Sequence, residues 1–169
     1  MDLKIVETGE GDLDLSIESG DLQTDTGLDA AIRVSLGTDA PAEEGDTLPD
    51  NSGYRGGWWC DALTLTPLGS KLWLYRRSKI SEETLADLSD VIEAGLSWMV
   101  DIGMVSAVTA LLERDRSRRD RVLLTVRLER SAGQRRAGVP SPAPGSAGAG
   151  ADPLVFQYSY LWNEGRIAR

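Results

Sequence analysis

Carboxylates are the reactive side chains this chain supplies in number: 27 Asp and Glu stand among 169 residues, with no His and a single Cys, Cys60. Nucleophile–histidine triads, histidine-ligated haem, the usual structural zinc centres and internal disulfides are therefore excluded. Asp12, Asp14, Glu18 and Asp21 have the acid density of a calcium loop. Ile17 stands where such a loop needs its glycine, however, and the alternation with leucines is that of a strand. Asp39, Glu43, Glu44, Asp46 and Asp50 form a looser candidate, read here as a solvated loop. No acidic pair sits in an apolar setting that would raise one pKa for glycosidic hydrolysis. No GxxxxGK[ST] loop is present, and GSAGAG at 145–150 lacks the strand before it and the helix after it that a phosphate site requires. Catalytic, metal-binding and cofactor-binding residues are thus expected to number none.

Charge is distributed unevenly. The net value is −9, yet residues 1–54 carry fourteen acids against Lys4 and Arg33, a balance of −12, while residues 55–169 balance at +3. That asymmetry points to protein partners and away from nucleic acid. The one basic cluster, Arg114, Arg116, Arg118, Arg119 and Arg121, is interrupted by Asp115 and Asp120 and has no interleaved aromatics for stacking bases. It reads as a solvated turn or an electrostatic protein contact. The start of the chain lacks the basic and apolar regions of a signal peptide, and no apolar run is long enough to span a bilayer, so we expect a soluble cytosolic protein with no membrane partner.

The elements that must position any binding surface follow from periodicity. Leu13, Leu15 and Ile17 alternate with polar residues, and Ser19–Asp21 supplies a turn, predicting a hairpin with Leu22–Thr24. Leu28, Ile32 and Leu36 predict a short helix over Asp29–Leu36, ended by Gly37. Residues 38–54, rich in Pro, Gly and acids, read as a surface loop. In RGGWWCDAL, Trp58 and Trp59 would face opposite sides of an extended chain, one buried and one meeting a partner, or both packed in the core or a subunit interface. Residues 69–75 continue as an apolar, partly helical segment.

Ser81, Glu82 and Glu83 open a long helix whose Leu85, Leu88, Ile92, Leu96 and Met99 share one face; Asp87, Asp90 and Glu93 lie opposite, on a solvated acidic surface. Val105–Leu111 and Arg121–Glu129 alternate as an antiparallel hairpin packed on that helix. Residues 131–152 are low in complexity, with Gly, Ala, Pro and Ser making up 17 of 22, and are expected to be a flexible insert. Leu154–Trp162 restores alternation as an aromatic strand that either returns to the chain's own sheet or adds to a neighbour's, with return the plainer outcome. The fold class is α+β in a single domain over 1–169.

This order of features, with GWW-DAL followed by GS-LWL, the helix running to GLSWMVDIG, the hairpin and the terminal YLWN, resembles the Mu-like phage baseplate wedge family. The resemblance covers residues 12–130 and 154–162. That family is in turn similar to the tail-sheath-initiator family, once described as lysozyme-like. A Glu-Pro-Arg triplet often follows the helix tryptophan there; here Met99, Val100 and Asp101 follow Trp98. The resemblance implies a structural subunit of a contractile-tail baseplate, assembled in the host cytoplasm and present at about six copies per tail. Its implied partners are larger wedge proteins, the tail sheath protein, and tube or hub proteins. The implied sheath or wedge interface comprises Leu124, Val126, Leu128, Phe156, Tyr158, Tyr160 and Trp162, with Trp58 and Trp59. Arms of the first sheath ring would add strands at an open edge near 122–129 and 154–162. A second expectation has the acidic first third of one copy facing the basic turn of a neighbour or of another wedge protein. Two competing readings are an assembly factor absent from the finished particle and a peptidoglycan hydrolase.

Overall fold

At the N-terminus, three short stretches of chain trade partners at a common junction. The computed structural model describes residues 2–7, 13–25, 28–63, 68–130, 153–162 and 166–168. β1 (Asp2–Leu3) pairs antiparallel with β6 (Thr24–Asp25), β2 (Ile5–Glu7) with β3 (Leu13–Leu15), and β4 (Ile17–Glu18) with β5 (Asp21–Leu22). Where the pairings switch, three backbone bonds close a ring: Lys4 N–H to Gln23 O at 2.9 Å, Gln23 N–H to Ser16 O at 2.8 Å, and Ser16 N–H to Lys4 O at 3.0 Å. The predicted hairpin is present at its turn, made by Ser19 (φ 56°) and Gly20 (φ 85°), the left-handed pair that matches strand twist, but Leu13–Leu15 pairs with β2 and Thr24 with β1 instead of with each other. The contribution of residues 2–7 was not foreseen, because stretches of two and three residues are too short to show a period.

α1 (Asp29–Gly37) follows as expected and buries Ile32 and Leu36. The loop from 38 to 55 has no regular element beyond a single parallel bridge between Asp39 and Ser70. Its carboxylates are not simply solvated. Lys71 lies 2.9 Å from Glu43 and 2.8 Å from Asp46, Arg76 lies 3.1 Å from Asp39, and Arg77 lies 4.0 Å from Asp50. The Lys71 ammonium holds the Asp46 carboxyl below its ordinary range, and Asp46 and Glu43 raise Lys71 in return. The expectation of a free acidic loop is corrected accordingly, since bases more than twenty residues away in sequence supply the counter-charge. Asp12, one member of the other calcium candidate, lies outside the described residues, and no group of three possible metal ligands occurs among those described.

Two glycines fasten this loop to the body. A Cβ on Gly56 (φ 68°) would stand 2.5 Å from Ala40 O and 2.9 Å from the Trp73 ring, and one on Gly69 (φ 120°) would stand 2.4 Å from Thr38 O. The close approach lets the Trp73 indole, buried in the short 3-10 helix Lys71–Tyr75, donate to Ala40 O at 2.9 Å.

The Ser81 hydroxyl accepts from the Thr84 N–H at 3.1 Å and caps α2 (Glu82–Leu96), with Glu82 and Glu83 in the first turn. Leu85, Leu88, Ile92 and Leu96 are buried as their spacing requires. A turn at Ser97 leads to the single-turn α3 (Trp98–Asp101), so the predicted long helix is two segments in line of sequence. β7 (Val105–Arg114), β8 (Arg121–Arg130), β9 (Leu154–Leu161) and β10 (Arg166–Ala168) form an antiparallel sheet in the order β10-β9-β8-β7. The aromatic strand therefore returns to its own chain, with Leu124 opposite Tyr158 and Val126 opposite Phe156. The core lies between this sheet and the helices, and Leu3, Ile5, Val6, Leu15, Ile17 and Leu22 are outside it. The fold is α+β, and the low-complexity insert over 131–152 lies outside the described residues.

Candidate functional site

Strand addition needs an edge, and the sheet order decides which strands have one. β8 has β7 on one side and β9 on the other, so residues 122–128 are paired on both sides and Glu129 with β7 alone. Leu124, Val126 and Leu128 are no more than 1% exposed, and Tyr158, Tyr160 and Trp162 are buried with them. Phe156 is partly buried against the same core. In the isolated chain these seven side chains pack the sheet against the helices. The apolar alternation that marked them as an interface is the alternation of a core face.

Two edges remain. On β7, the half-buried Glu93 of α2 accepts the Ala110 N–H at 2.8 Å, so the helix covers the middle of that edge. Glu93 thus leaves the solvated acidic face to which its spacing assigned it. On β9, β10 pairs only with Ser159–Leu161. Because the Ala110 N–H points away from β8, the alternation of an antiparallel ladder makes Val126–Phe156 a hydrogen-bonded pair. The same alternation turns the backbone N–H and C=O of Val155 and Gln157 outward, where no strand faces them among the described residues.

Buried polar groups set the position of β9. The Tyr158 hydroxyl donates to Asp29 at 2.7 Å, Asp29 accepts from Arg33 at 2.9 Å, and the Arg33 guanidinium lies 5.2 Å from the Tyr158 ring centroid. The Trp162 indole donates to Ser78 O at 2.7 Å. Tyr160 differs: its hydroxyl is buried without a hydrogen-bond partner, and burial pushes its pKa up to about 12. A folded-state pKa above the unfolded value of 10.0 means that stability is intact below pH 10 and falls as pH rises toward 12. Tyr160→Phe is expected to be neutral or to stabilise by up to about 1 kcal/mol at pH 7, because no bond is lost. Between pH 7 and 11 the unsubstituted protein should lose about 1.4 kcal/mol more than the variant. Urea unfolding at the two pH values measures both effects.

Trp58 and Trp59 do not take the opposed orientations of an extended chain, since a turn at 59–60 leads into the 3-10 helix Asp61–Leu63. Their rings meet at 5.2 Å between centroids, and neither joins the core. Trp59 is 78% exposed and Leu63 80%. Asp61 ties the turn, accepting from Trp58 N–H at 2.7 Å and from Leu68 N–H at 3.1 Å. The result is an apolar knob on a braced loop, the arrangement that favours a binding hot spot.

The basic cluster forms the tip between β7 and β8. Arg114 donates to Ile80 O and lies 3.8 Å from Glu82, and Arg121 lies 3.9 Å from Asp115. The Ser117 hydroxyl and amide, with Arg121 adding to them, hold the Asp115 carboxyl below its usual range. Arg116, Arg118 and Arg119 are exposed and have no carboxylate partner among the described residues.

The described residues thus form an α+β fold that exposes an apolar knob, a basic tip and part of a strand edge. Residues 28–135 match the family model described as Phage protein GP46, and the chain belongs to that family. It is also 40% identical over 114 residues to "Baseplate protein gp46" of Escherichia phage Mu, a match covering 67% of this chain and 77% of the relative. The GWW-DAL and GS-LWL segments that carried the resemblance lie inside the matched family region.

Proposed function

We propose that the chain is a structural subunit of a phage tail baseplate, without enzymatic activity, that joins the wedge ring to the first ring of sheath by accepting an added strand. The observation that carries this reading is the outward-facing backbone of Val155 and Gln157 on a strand whose own edge partner, β10, spans three residues. Main-chain bonds at such an edge give affinity with little demand on side-chain identity, which suits a junction that must persist while neighbouring subunits move. The Trp58–Trp59–Leu63 knob faces the wedge proteins. Membership of the GP46 family and the name of the Mu relative support the baseplate assignment. Among the described residues no helix is long and apolar enough to cross a membrane.

Val155→Pro tests the junction, because it removes one outward N–H and leaves the bonds between β8 and β9 in place. The variant is expected to fold, to enter baseplates and to fail at sheath attachment; sheathed tails of normal appearance would overturn strand addition at this edge. Peptide mass spectrometry of purified, nuclease-treated particles is expected to count about six copies per tail, the number implied by a ring of wedges. Presence in the infected cytosol with absence from particles would replace this reading with that of an assembly factor.

A further inference from the structure

We propose that copies of this chain bind one another head to tail, the N-terminal strand junction of one docking on the β7–β8 tip of the next. The two surfaces are charges that the described residues leave without a counter-charge. The acids of the 38–50 loop find Lys71, Arg76 and Arg77, but Asp14, Glu18 and Asp21 of the junction have no cation partner among the described residues. In sequence, residues 1–27 hold eight acids and one base, Lys4. At the opposite sign, Arg116, Arg118 and Arg119 stand exposed at the tip without a carboxylate. Each surface is the charge complement of the other, and neither finds its counter-charge among the described residues, although Asp14, Glu18 and Asp21 accept hydrogen bonds from Leu15 N–H, the Gln23 amide and Leu22 N–H.

Apolar exposure runs in parallel with charge. Leu3, Leu15, Ile17 and Leu22 of the junction are between 37% and 68% exposed. Three antiparallel pairs of two or three residues bury little of their own side chains, and Leu3, Leu15, Ile17 and Leu22 do not share the core, so the junction is marginal without a covering surface. Beside the basic tip, the outer face of the sheet offers a shallow groove lined by Leu111, Glu113, Leu123, Thr125 and Gln157, with Leu111 58% and Leu123 41% exposed. The exposed leucines of the junction suit the apolar part of this groove, and its acids suit the arginines of the adjoining tip rather than Glu113. Because the two patches differ, the contact is heterologous and generates a ring when its rotation closes. It does not depend on strand addition at β9.

Sedimentation velocity of the full chain over a range of concentrations tests the contact. Association is expected at about 50 mM salt, weakening about tenfold or more at about 500 mM, as exposed charge pairs require. The variant R116E/R118E/R119E and the variant D14K/E18K/D21K should each be monomeric alone, and mixing the two should restore association, because each then presents the sign the other lacks. A chain that stays monomeric at low salt, or that associates equally well with either one of the two sets reversed, overturns the proposal. Circular-dichroism melting confirms that the variants fold, and Arg118→Glu alone, at an exposed turn position, gives the same reading if a triple variant loses its transition. Particle stoichiometry is a separate readout, so failure here leaves the baseplate assignment standing or falling on its own.

Discussion

Val126→Pro is expected to unfold the protein. Val126 is fully buried between Ala110 on β7 and Phe156 on β9, and its backbone N–H faces β9 in a hydrogen-bonded pair. Proline deletes that bond, places a ring in the middle of a central strand, and disturbs packing against the helices. The combined cost is about 4 kcal/mol or more, a large part of the about 5–15 kcal/mol that stabilises an ordinary domain. Loss of the cooperative thermal transition, with rapid proteolysis, is the expected reading. Val155→Pro, one residue from Phe156 but facing outward at the edge, should keep its transition. A folded Val126→Pro protein that merely lost a partner would mean that β8 is not an interior strand.

The contrast shows what alternation in a sequence encodes. Leu124, Val126, Leu128, Tyr158 and Tyr160 have a strand's period and an apolar face, which is why both strands and their mutual pairing were readable. Period does not say whether an apolar face meets the chain's own helices or another protein, because burial rewards both equally. Sheet order resolves it, and sheet order depends on contacts remote in sequence. Glu93 illustrates the same limit: its position on α2 marks it as solvated, and only the placement of β7 beside the helix brings the Ala110 N–H to its carboxylate. Lys71, Arg76 and Arg77 were likewise visible as bases without any local sign that they would meet the 38–50 acids.

Local chemistry was more legible. Ser81 followed by two glutamates gave the start of α2 because capping acts within one turn. Ser19–Gly20 gave the hairpin because both positions take positive φ. The N-terminal junction exceeded this reach. Its three strands each change partner within seven residues, so no segment is long enough to show which side it presents. The tryptophan pair lay between the two cases: unusual composition marked it, but the turn at 59–60 decided that both rings would leave the core together.

That geometry makes the knob the place where side chains, rather than backbone, should govern assembly. Trp59→Ala combined with Leu63→Ala is expected to change folding stability by no more than about 0.5 kcal/mol, since two highly exposed side chains contribute little to the isolated fold. Its effect on assembly should be far larger. An exposed tryptophan desolvated in a partner's pocket costs about 2 kcal/mol or more when truncated, a loss of about thirtyfold in affinity, and Leu63 beside it adds to the vacated area. The bracing bonds from Asp61 to Trp58 and Leu68 remain in the variant, so the loop keeps its course and only the contact surface is removed. Competition in a mixed expression separates assembly from folding: tagged variant and untagged wild-type chain are made together, and their ratio is measured in the soluble pool and in purified particles. The variant should match wild type in the first and fall at least about tenfold behind it in the second, with the deficit rising as wild-type chain is made more abundant. Equal incorporation would mean that the knob faces solvent in the particle, leaving the β9 edge as the contact on which attachment depends.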